Sequence, residues 1–242
     1  EQRIALISDT VTKGLNPNVA MKDTNIKWIG DIPREWGVKR LKYISKILSS
    51  NINKHILSNE IQIRLCNYTD VYYNEHIDGD TNLSKGSCNQ NEYNKFWLRN
   101  GDVIITKDSE APDDIGVSTE VKKDLGDVVC GYHLTLIRPF DVVGGYVFRF
   151  IQSNSIRKYF EINANGITRF GLGKPTIQNI YLPIPSLGEQ KQIVEYLDKE
   201  TLKIDDFVKY EVKLVEWLKE YRQALISDVV TGKVDIRDEE LA

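Results

Sequence analysis

One stretch of the chain carries acidic and basic residues in an order that could support phosphodiester hydrolysis. Pro112-Asp113 is followed by Glu120-Val-Lys122, which fits the Pro-Asp and Asp/Glu-x-Lys pattern of Mg²⁺-dependent nucleases. In such a site two carboxylates hold the metal and the lysine helps to position or activate the attacking water. The chemistry needs both acids at the ends of adjacent buried strands, but the chain has 35 acidic residues and chance matches are easy. We keep hydrolysis as an alternative only.

A second stretch carries groups that bind polyanions. Residues 166–174 read Gly-Ile-Thr-Arg-Phe-Gly-Leu-Gly-Lys. The glycines would let a ligand approach the backbone closely, and Thr168, Arg169 and Lys174 could donate to phosphates or base edges. The other interpretation is a flexible loop with incidental charges.

Further polar residues lie where predicted strands meet turns. Each follows or precedes an apolar run rich in β-branched residues. Their side chains could face a nucleic-acid groove, or they could be ordinary turn and strand residues with satisfied partners. This group consists of Tyr68, Thr69, Lys107, Ser109 and His133.

Composition argues against several other kinds of site. The three cysteines are scattered and odd in number, which predicts neither a disulfide framework nor a metal site and favours a cytoplasmic protein. The chain has three histidines, no glycine-rich cofactor loop, and no run of roughly 18 apolar residues that would span a membrane. We therefore expect no catalytic residues, no metal, no cofactor and no membrane partner.

Charge is distributed unevenly along the chain, whose formal net charge is −3. Residues 186–242 hold 9 basic and 14 acidic side chains, whereas residues 37–185 hold 18 basic and 16 acidic ones. A mildly basic middle region is compatible with nucleic-acid binding but does not by itself indicate it.

Residues 37–185 have the pattern of a mixed, mainly β domain. Short runs rich in β-branched and aromatic residues, such as Ile61–Leu65 and Val71–Tyr73, alternate with Gly, Asn and Asp turn clusters. Residues 146–160 have the apolar spacing of one buried helix. The sequence therefore predicts an α+β domain.

Residues 186–233 read as one long helix. Ser186, followed three residues later by Glu189, predicts a capping box at its start, and Gly232 predicts its end. Apolar residues then recur alternately three and four positions apart, which is the pattern of a coiled-coil seam. About 40 residues at roughly 1.5 Å each give a rod of about 60 Å, which needs a second long helix beside it. The predicted seam positions are Val194, Leu197, Ile204, Val208, Val215, Leu218 and Leu225.

The two ends of the chain repeat one another. Residues 3–12 and 222–231 are identical at eight of ten positions, 219 residues apart. Residues 1–15 are thus predicted to be the tail of a preceding long helix, in one unit of a duplicated protein. The alternative is two unrelated amphipathic helix ends.

Two shorter segments complete the predicted organisation. Residues 16–36 predict a linker, and its tryptophans, Trp28 and Trp36, predict an aromatic anchor onto a neighbouring surface. Residues 234–242 are predicted to form a C-terminal tail.

Five short motifs are distributed along the chain. They are Trp28–Trp36, Gly101–Lys107, Gly166–Arg169, Pro185–Gln190 and Leu225–Gly232. Together they resemble the specificity (S) subunit of type I restriction–modification enzymes, and the resemblance covers essentially the whole chain. In that family, two target-recognition domains are joined by two long antiparallel helices, and each domain reads one half of a split DNA sequence. The resemblance implies one target-recognition domain followed by one coiled-coil-forming helix.

The resemblance also implies a function. The chain would be a non-catalytic subunit that reads one half of a bipartite double-stranded DNA target for methyltransferase (M) subunits and, through them, restriction (R) subunits. Because the other half of the family pattern is missing, the chain is either a half-subunit that dimerises through its helix or part of a two-domain subunit. A further alternative is a coiled-coil interaction module that does not bind DNA. The candidate DNA contacts are Thr168, Arg169, Lys174, Gly166, Lys107, Ser109, Tyr68, Thr69 and His133.

Overall fold

The computed structural model describes residues 1–234 of the chain. The predicted α+β class with a long C-terminal helix is confirmed. The helices are Gln2–Lys13 (α1), Tyr68–Tyr73 (α2), Gln90–Phe96 (α3), Gly144–Ile151 (α4), Asn154–Asn163 (α5), Lys174–Gln178 (α6) and Leu187–Val230 (α7). The strands are Met21–Asp23 (β1), Asp31–Pro33 (β2), Gly37–Arg40 (β3), Ser45–Ser49 (β4), Ile61–Cys66 (β5), His76–Ile77 (β6), Ser84–Cys88 (β7), Trp97–Leu98 (β8), Val103–Thr106 (β9), Asp108–Ser109 (β10), Ser118–Val121 (β11), Leu125–Cys130 (β12), Leu134–Pro139 (β13), Phe170–Gly171 (β14) and Tyr181–Ile184 (β15). Apart from Val234, the predicted C-terminal tail lies outside the described residues.

Two sheets form the centre of the domain. The larger has the strand order β4-β13-β9-β11-β6, and the smaller has the order β7-β5-β12-β8. One neighbouring pair in each sheet is parallel, β11–β6 and β12–β5, and the other pairs are antiparallel. Separate two-stranded ladders join β1 to β2, β3 to β15 and β10 to β14.

Strand β9 separates the two parts of the hydrophobic core. Val103 and Ile105 belong to a cluster that includes residues of α1, α4, α5 and the start of α7, whereas Ile104 belongs to a cluster with the smaller sheet. Successive side chains of a strand point to opposite faces, so one strand serves both clusters. All three residues are fully buried. The end of β9, from which Lys107 emerges, is therefore held by packing on both faces.

Residues 16–36 are more structured than a linker. They contain the antiparallel ladder of β1 and β2. The ring of Trp28 lies 6.5 Å from that of Phe150 and 5.4 Å from that of Tyr159, between centroids. Trp36 is buried in the core. Both tryptophans therefore attach this segment to the domain.

Two predicted elements differ in the structure. Val71–Tyr73, predicted as a strand, completes helix α2, because a capping box at Asn67 starts a helix directly after β5. The single helix predicted over residues 146–160 is two helices, α4 and α5. It breaks at Ser153, which has an extended backbone and serves as the N-cap residue of α5.

The chain divides into two compact units, residues 1–197 and the residues from Asp198 onward. Helix α7 begins in the first unit, where the Glu189 N–H donates to the Ser186 hydroxyl at 3.2 Å. Its last residue, Val230, precedes the predicted stop at Gly232. Among residues 1–234, none of the helices combines the length and the hydropathy that crossing a bilayer would require.

The predicted seam needs a correction at its first two positions. Leu197 is fully buried in the core of the first unit, and Val194 packs against that core. Leu197 is thus used inside the domain and is not available to a second long helix, whereas Val194 remains partly exposed. The heptad pattern missed this because it reports a buried stripe but not what covers it. In the second unit Ile204 is partly exposed, and Val208, Val215, Leu218 and Leu225 are between 41% and 56% exposed.

Candidate nucleic-acid interface

Tyr68 and Thr69 are the first residues of α2, which one residue, Asn67, separates from the end of β5. The backbone N–H of Asn67 donates to the Asp70 carboxylate at 2.7 Å, as part of a capping box. Capping satisfies groups that the end of a helix would otherwise leave unpaired, so the helix can start directly at the strand end. Tyr68 is half-buried there and Thr69 is exposed.

The turn between β12 and β13 brings His133 to the same edge. The N–H of Gly131 donates to the Cys66 carbonyl at 2.8 Å, and that of Tyr132 donates to the Ile52 carbonyl at 2.8 Å. His133 has φ 65°, a left-handed conformation that is uncommon outside glycine. The turn therefore lies beside the junction of β5 and α2.

Lys107 and Ser109 emerge from the buried end of β9. Directly afterwards, β10 (Asp108–Ser109) pairs antiparallel with β14 (Phe170–Gly171). Arg169 immediately precedes β14. The ladder thus joins the segment of Lys107 and Ser109 to the loop of residues 166–174, which were separate candidates in the sequence.

An imidazole–carboxylate contact joins two of these loops. Nδ1 of His133 lies 2.5 Å from Oδ2 of Asp108. The Tyr132 ring centroid lies 3.8 Å from that of His133, and Nζ of Lys107 lies 5.5 Å from the Tyr132 ring centroid. The Lys107 N–H also donates to the His133 carbonyl at 3.1 Å. The β9–β10 connection and the β12–β13 turn therefore form one surface.

These loops surround a cavity of about 300 Å³, here called the tyrosine cavity. The rings of Tyr68 and Tyr72 stack along it with centroids 5.9 Å apart. Burial raises the pKa of the Tyr68 phenol, while a hydrogen bond with Ser109 acts in the opposite direction. The phenol is neutral at physiological pH, as an ordinary tyrosine is, and it can donate a hydrogen bond. Four predicted contacts line the cavity, and they are Tyr68, Thr69, Ser109 and Arg169.

A second cavity of about 300 Å³ adjoins the first and shares Tyr68 and Thr69 with it. His133 lines it, together with Asn53 and Lys54, which sequence reasoning missed. Their loop lies outside any strand or helix, so no periodic pattern marks it. The sequence feature that could have identified them is the mainly polar run Asn51-Ile-Asn-Lys54.

In the loop of residues 166–174, Arg169 lines the tyrosine cavity, whereas the other predicted contacts of this loop line neither cavity. Gly166 has φ 145°, and a Cβ there would lie 2.0 Å from the Arg169 carbonyl oxygen. The turn itself therefore requires a residue without a side chain at this position. Thr168 is exposed in this turn. Lys174 is the exposed first residue of α6 and lines neither cavity.

The nuclease-like residues do not assemble as that pattern requires. Asp113 is exposed on a 3₁₀ turn, and it lines a separate cavity of about 320 Å³ to which Glu120 and Lys122 do not contribute. Glu120 is buried on β11 and pairs with Nζ of Lys122 at 2.7 Å. Within residues 1–234, no group of three or more His, Cys, Asp or Glu residues is placed to hold a metal ion.

Comparison with known proteins identifies relatives over nearly the whole chain. It is 22% identical, over 94% of its length, to the type I restriction enzyme MjaVIII specificity subunit of Methanocaldococcus jannaschii, and covers 52% of that protein. It is 36% identical over 81 residues to the EcoBI specificity subunit of Escherichia coli, or 33% of this chain and 17% of that one. The chain spans about half the length, or less, of the curated relatives it matches.

Solved structures share the fold. A chain from a structure described as the structural basis underlying complex assembly and conformational transition of the type I R-M system superposes with a TM-score of 0.62. The match has 18% identity and covers 94% of this chain and 51% of that one. The HsdS subunit from Thermoanaerobacter tengcongensis gives a TM-score of 0.56 and 18% identity, over 96% of this chain and 50% of that one.

A family model matches most of the chain, over residues 33–210. This range contains both cavities and the first turns of α7. The chain therefore belongs to the type I restriction modification DNA specificity domain family.

Proposed function

We propose that this chain reads one half of a bipartite double-stranded DNA target within a type I restriction–modification complex. In this role it selects the site, while separate methyltransferase and restriction subunits modify or cut it. The chain itself is non-catalytic and acts in the cytoplasm.

The convergence of polar residues from separate loops carries this proposal. Tyr68, Ser109, His133 and Arg169 come from four parts of the chain and line two adjoining cavities. Hydroxyl, imidazole and guanidinium groups are the donors that contact phosphates and base edges. Because their loops leave two buried sheets, their spacing is set before DNA binds, which favours specific recognition.

The second unit supports an assembly role. Its part of α7 exposes a row of aliphatic side chains that a second long helix would cover. We propose that this partner is a second copy of the chain or the other half of a longer one. The internal repeat supports it, because Ile7 and Val11 are fully buried on the domain, whereas their counterparts Ile226 and Val230 are 44% and 79% exposed. Residues 222–231 are thus exposed, although their sequence is nearly that of residues 3–12, which pack on the domain.

Docking of methyltransferase subunits is a further part of the proposal. The solved relative with a TM-score of 0.62 concerns assembly of a type I R-M complex. In this chain α7, residues 187–230, carries 10 acidic and 7 basic side chains. An extended acidic helix offers a flank to which basic partner surfaces can bind.

The test is selection from a randomised double-stranded DNA pool by the full chain, with and without Mg²⁺. Enrichment of a short motif from uncut duplex is expected. A palindromic pair of motifs at fixed spacing would indicate a dimer. Cutting that depends on Mg²⁺ would instead support the alternative based on Asp113, Glu120 and Lys122. Strong self-association without any enrichment would favour the interaction-module alternative.

A further inference from the structure

Glu110 and Arg169 each lie one residue beyond the last pair of the β10–β14 ladder, at the same end of it. In that ladder Asp108–Ser109 pairs with Phe170–Gly171 in antiparallel register. Continuing the register by one residue sets Glu110 opposite Arg169. Both side chains are exposed, and both line the tyrosine cavity. The ladder thus presents one acceptor and one donor side by side.

These two side chains are available to a ligand. Among residues 1–234, neither Glu110 nor Arg169 forms a hydrogen bond or an ion pair. Two other carboxylates of the same cavity are already engaged, since Asp108 contacts His133 at 2.5 Å and Asp114 accepts from the Tyr72 hydroxyl at 3.0 Å. Glu110 is therefore an acceptor without a side-chain partner among the described residues, and it lines the same cavity as the Arg169 guanidinium, which interacts electrostatically with the Tyr68 phenol.

An unpaired carboxylate on a DNA-facing surface opposes binding, because it repels the phosphates. That repulsion is offset where the carboxylate accepts a hydrogen bond from an exocyclic amino group. In the major groove cytosine N4 is such a donor, and glutamate is a residue that accepts from it. Arginine donates two hydrogen bonds to O6 and N7 of guanine. A single G·C pair presents these edges next to each other.

We propose that Glu110 and Arg169 together read one G·C base pair of the target, with Arg169 on the guanine and Glu110 on the cytosine amino group. The inference rests on the proposed function and deepens it, because it names the base pair that this part of the surface selects. The stacked rings of Tyr68 and Tyr72 form the wall beside it.

The experiment compares the motifs that the full chain and its variants enrich from a randomised duplex pool. Glu110→Gln keeps the side-chain size but replaces the acceptor-only carboxylate, and glutamine pairs best with adenine. Arg169→Lys keeps the charge but loses the two-pronged donor. Each variant should lose about tenfold or more discrimination at the same single base pair. Glu35→Gln removes a carboxylate from an exposed turn that does not line the tyrosine cavity, and should leave the motif unchanged.

Each other outcome is decisive. If the wild-type chain enriches a motif and Glu110→Gln enriches the same motif unchanged, the inference is overturned while the proposed function stands. A uniform loss of affinity for all sequences with Arg169→Lys would assign Arg169 to phosphate and also overturn it. If the two variants lose sequence preference at two different base pairs, the inference is overturned as well. If the wild-type chain enriches nothing, the proposed function fails as well.

Discussion

Nε1 of Trp36 donates a hydrogen bond to the carboxylate of Glu189 at 2.9 Å, across 153 residues of sequence. Trp36 is 3% exposed, so this bond lies at the edge of the core. The predicted capping box gave the Glu189 side chain a local role at the start of α7. Its carboxylate instead connects the first turn of that helix to the segment that opens the domain.

Trp36→Phe should therefore destabilise the first unit. Loss of one hydrogen bond to a charged group costs about 1.5–3 kcal/mol in the free energy of unfolding, with the lost indole contacts in addition. Urea denaturation measures the change. The control is Trp217→Phe, at a site 62% exposed, where a change within about 0.5 kcal/mol is expected. Equal denaturation midpoints for the two variants would contradict the stabilising role of the bond.

Leu197→Ala should destabilise the domain even though the heptad pattern assigns this residue to helix pairing. It is fully buried in the core, so truncation removes apolar contacts and leaves a cavity, at a cost of about 2–5 kcal/mol. The matched control is Leu218→Ala at another seam position that is 56% exposed, measured at a concentration too low for self-association. A cost for Leu197→Ala no greater than that of the control would show that α7 is not part of the core.

Leu218→Asp tests the proposed pairing of long helices. A charge in an apolar seam without a partner strongly opposes association. Sedimentation velocity should show a shift to the monomer, with the domain still folded by circular dichroism. Lys213→Asp introduces an acid at an exposed position of the same helix that does not belong to the seam, and should leave the oligomeric state unchanged. If Leu218→Asp associates as the wild type does, the seam assignment is wrong.

Arg169→Ala should weaken binding to the selected duplex by about tenfold or more, because Arg169 lines the tyrosine cavity. Lys174→Ala is the control, since Lys174 lines neither cavity and should change affinity less. Fluorescence anisotropy titrations at several salt concentrations measure both, and lost phosphate contacts would lower the salt dependence. A larger loss of affinity with Lys174→Ala would indicate that DNA binds at the start of α6 instead.

Stability should depend on pH through Glu75. Burial would raise the pKa of its carboxyl, but the guanidinium groups of Arg3 and Arg149 outweigh it and hold this pKa below its ordinary value. A carboxyl with a lower pKa in the folded state stabilises the fold above its unfolded-state pKa. That stabilisation is lost as the pH falls through the folded-state value. Glu75→Gln should thus lower the free energy of unfolding at pH 7 and have little effect at about pH 3.

Urea denaturation of wild type and variant at both pH values measures this dependence. Glu161→Gln, at an exposed position of α5, should show no such pH dependence. Equal destabilisation by Glu75→Gln at both values would mean that the ion pairs with Arg3 and Arg149 do not stabilise the fold.

Local patterns were sufficient wherever neighbours in the chain decide the structure. The Ser186 cap predicted the start of α7 to within one residue, and the run Ile61–Leu65 predicted β5 to within one residue of its end. They failed at Val71–Tyr73, where a capping box outweighs the β preference of the residues. They also failed at Ser153, where a helical pattern continues across a break in the backbone.

The sequence by itself determined the class of fold, the long helix, the repeat of its end, and the family motifs. It also named the kinds of side chain that could contact DNA. Only the tertiary structure decided that Tyr68, Ser109 and Arg169 share one cavity and that Lys174 lies outside it. It also decided that Leu197 belongs to the core. The physical reason is that such contacts depend on strand order and register between distant segments. Periodicity shows that a residue is buried or exposed, but not which residues lie against it.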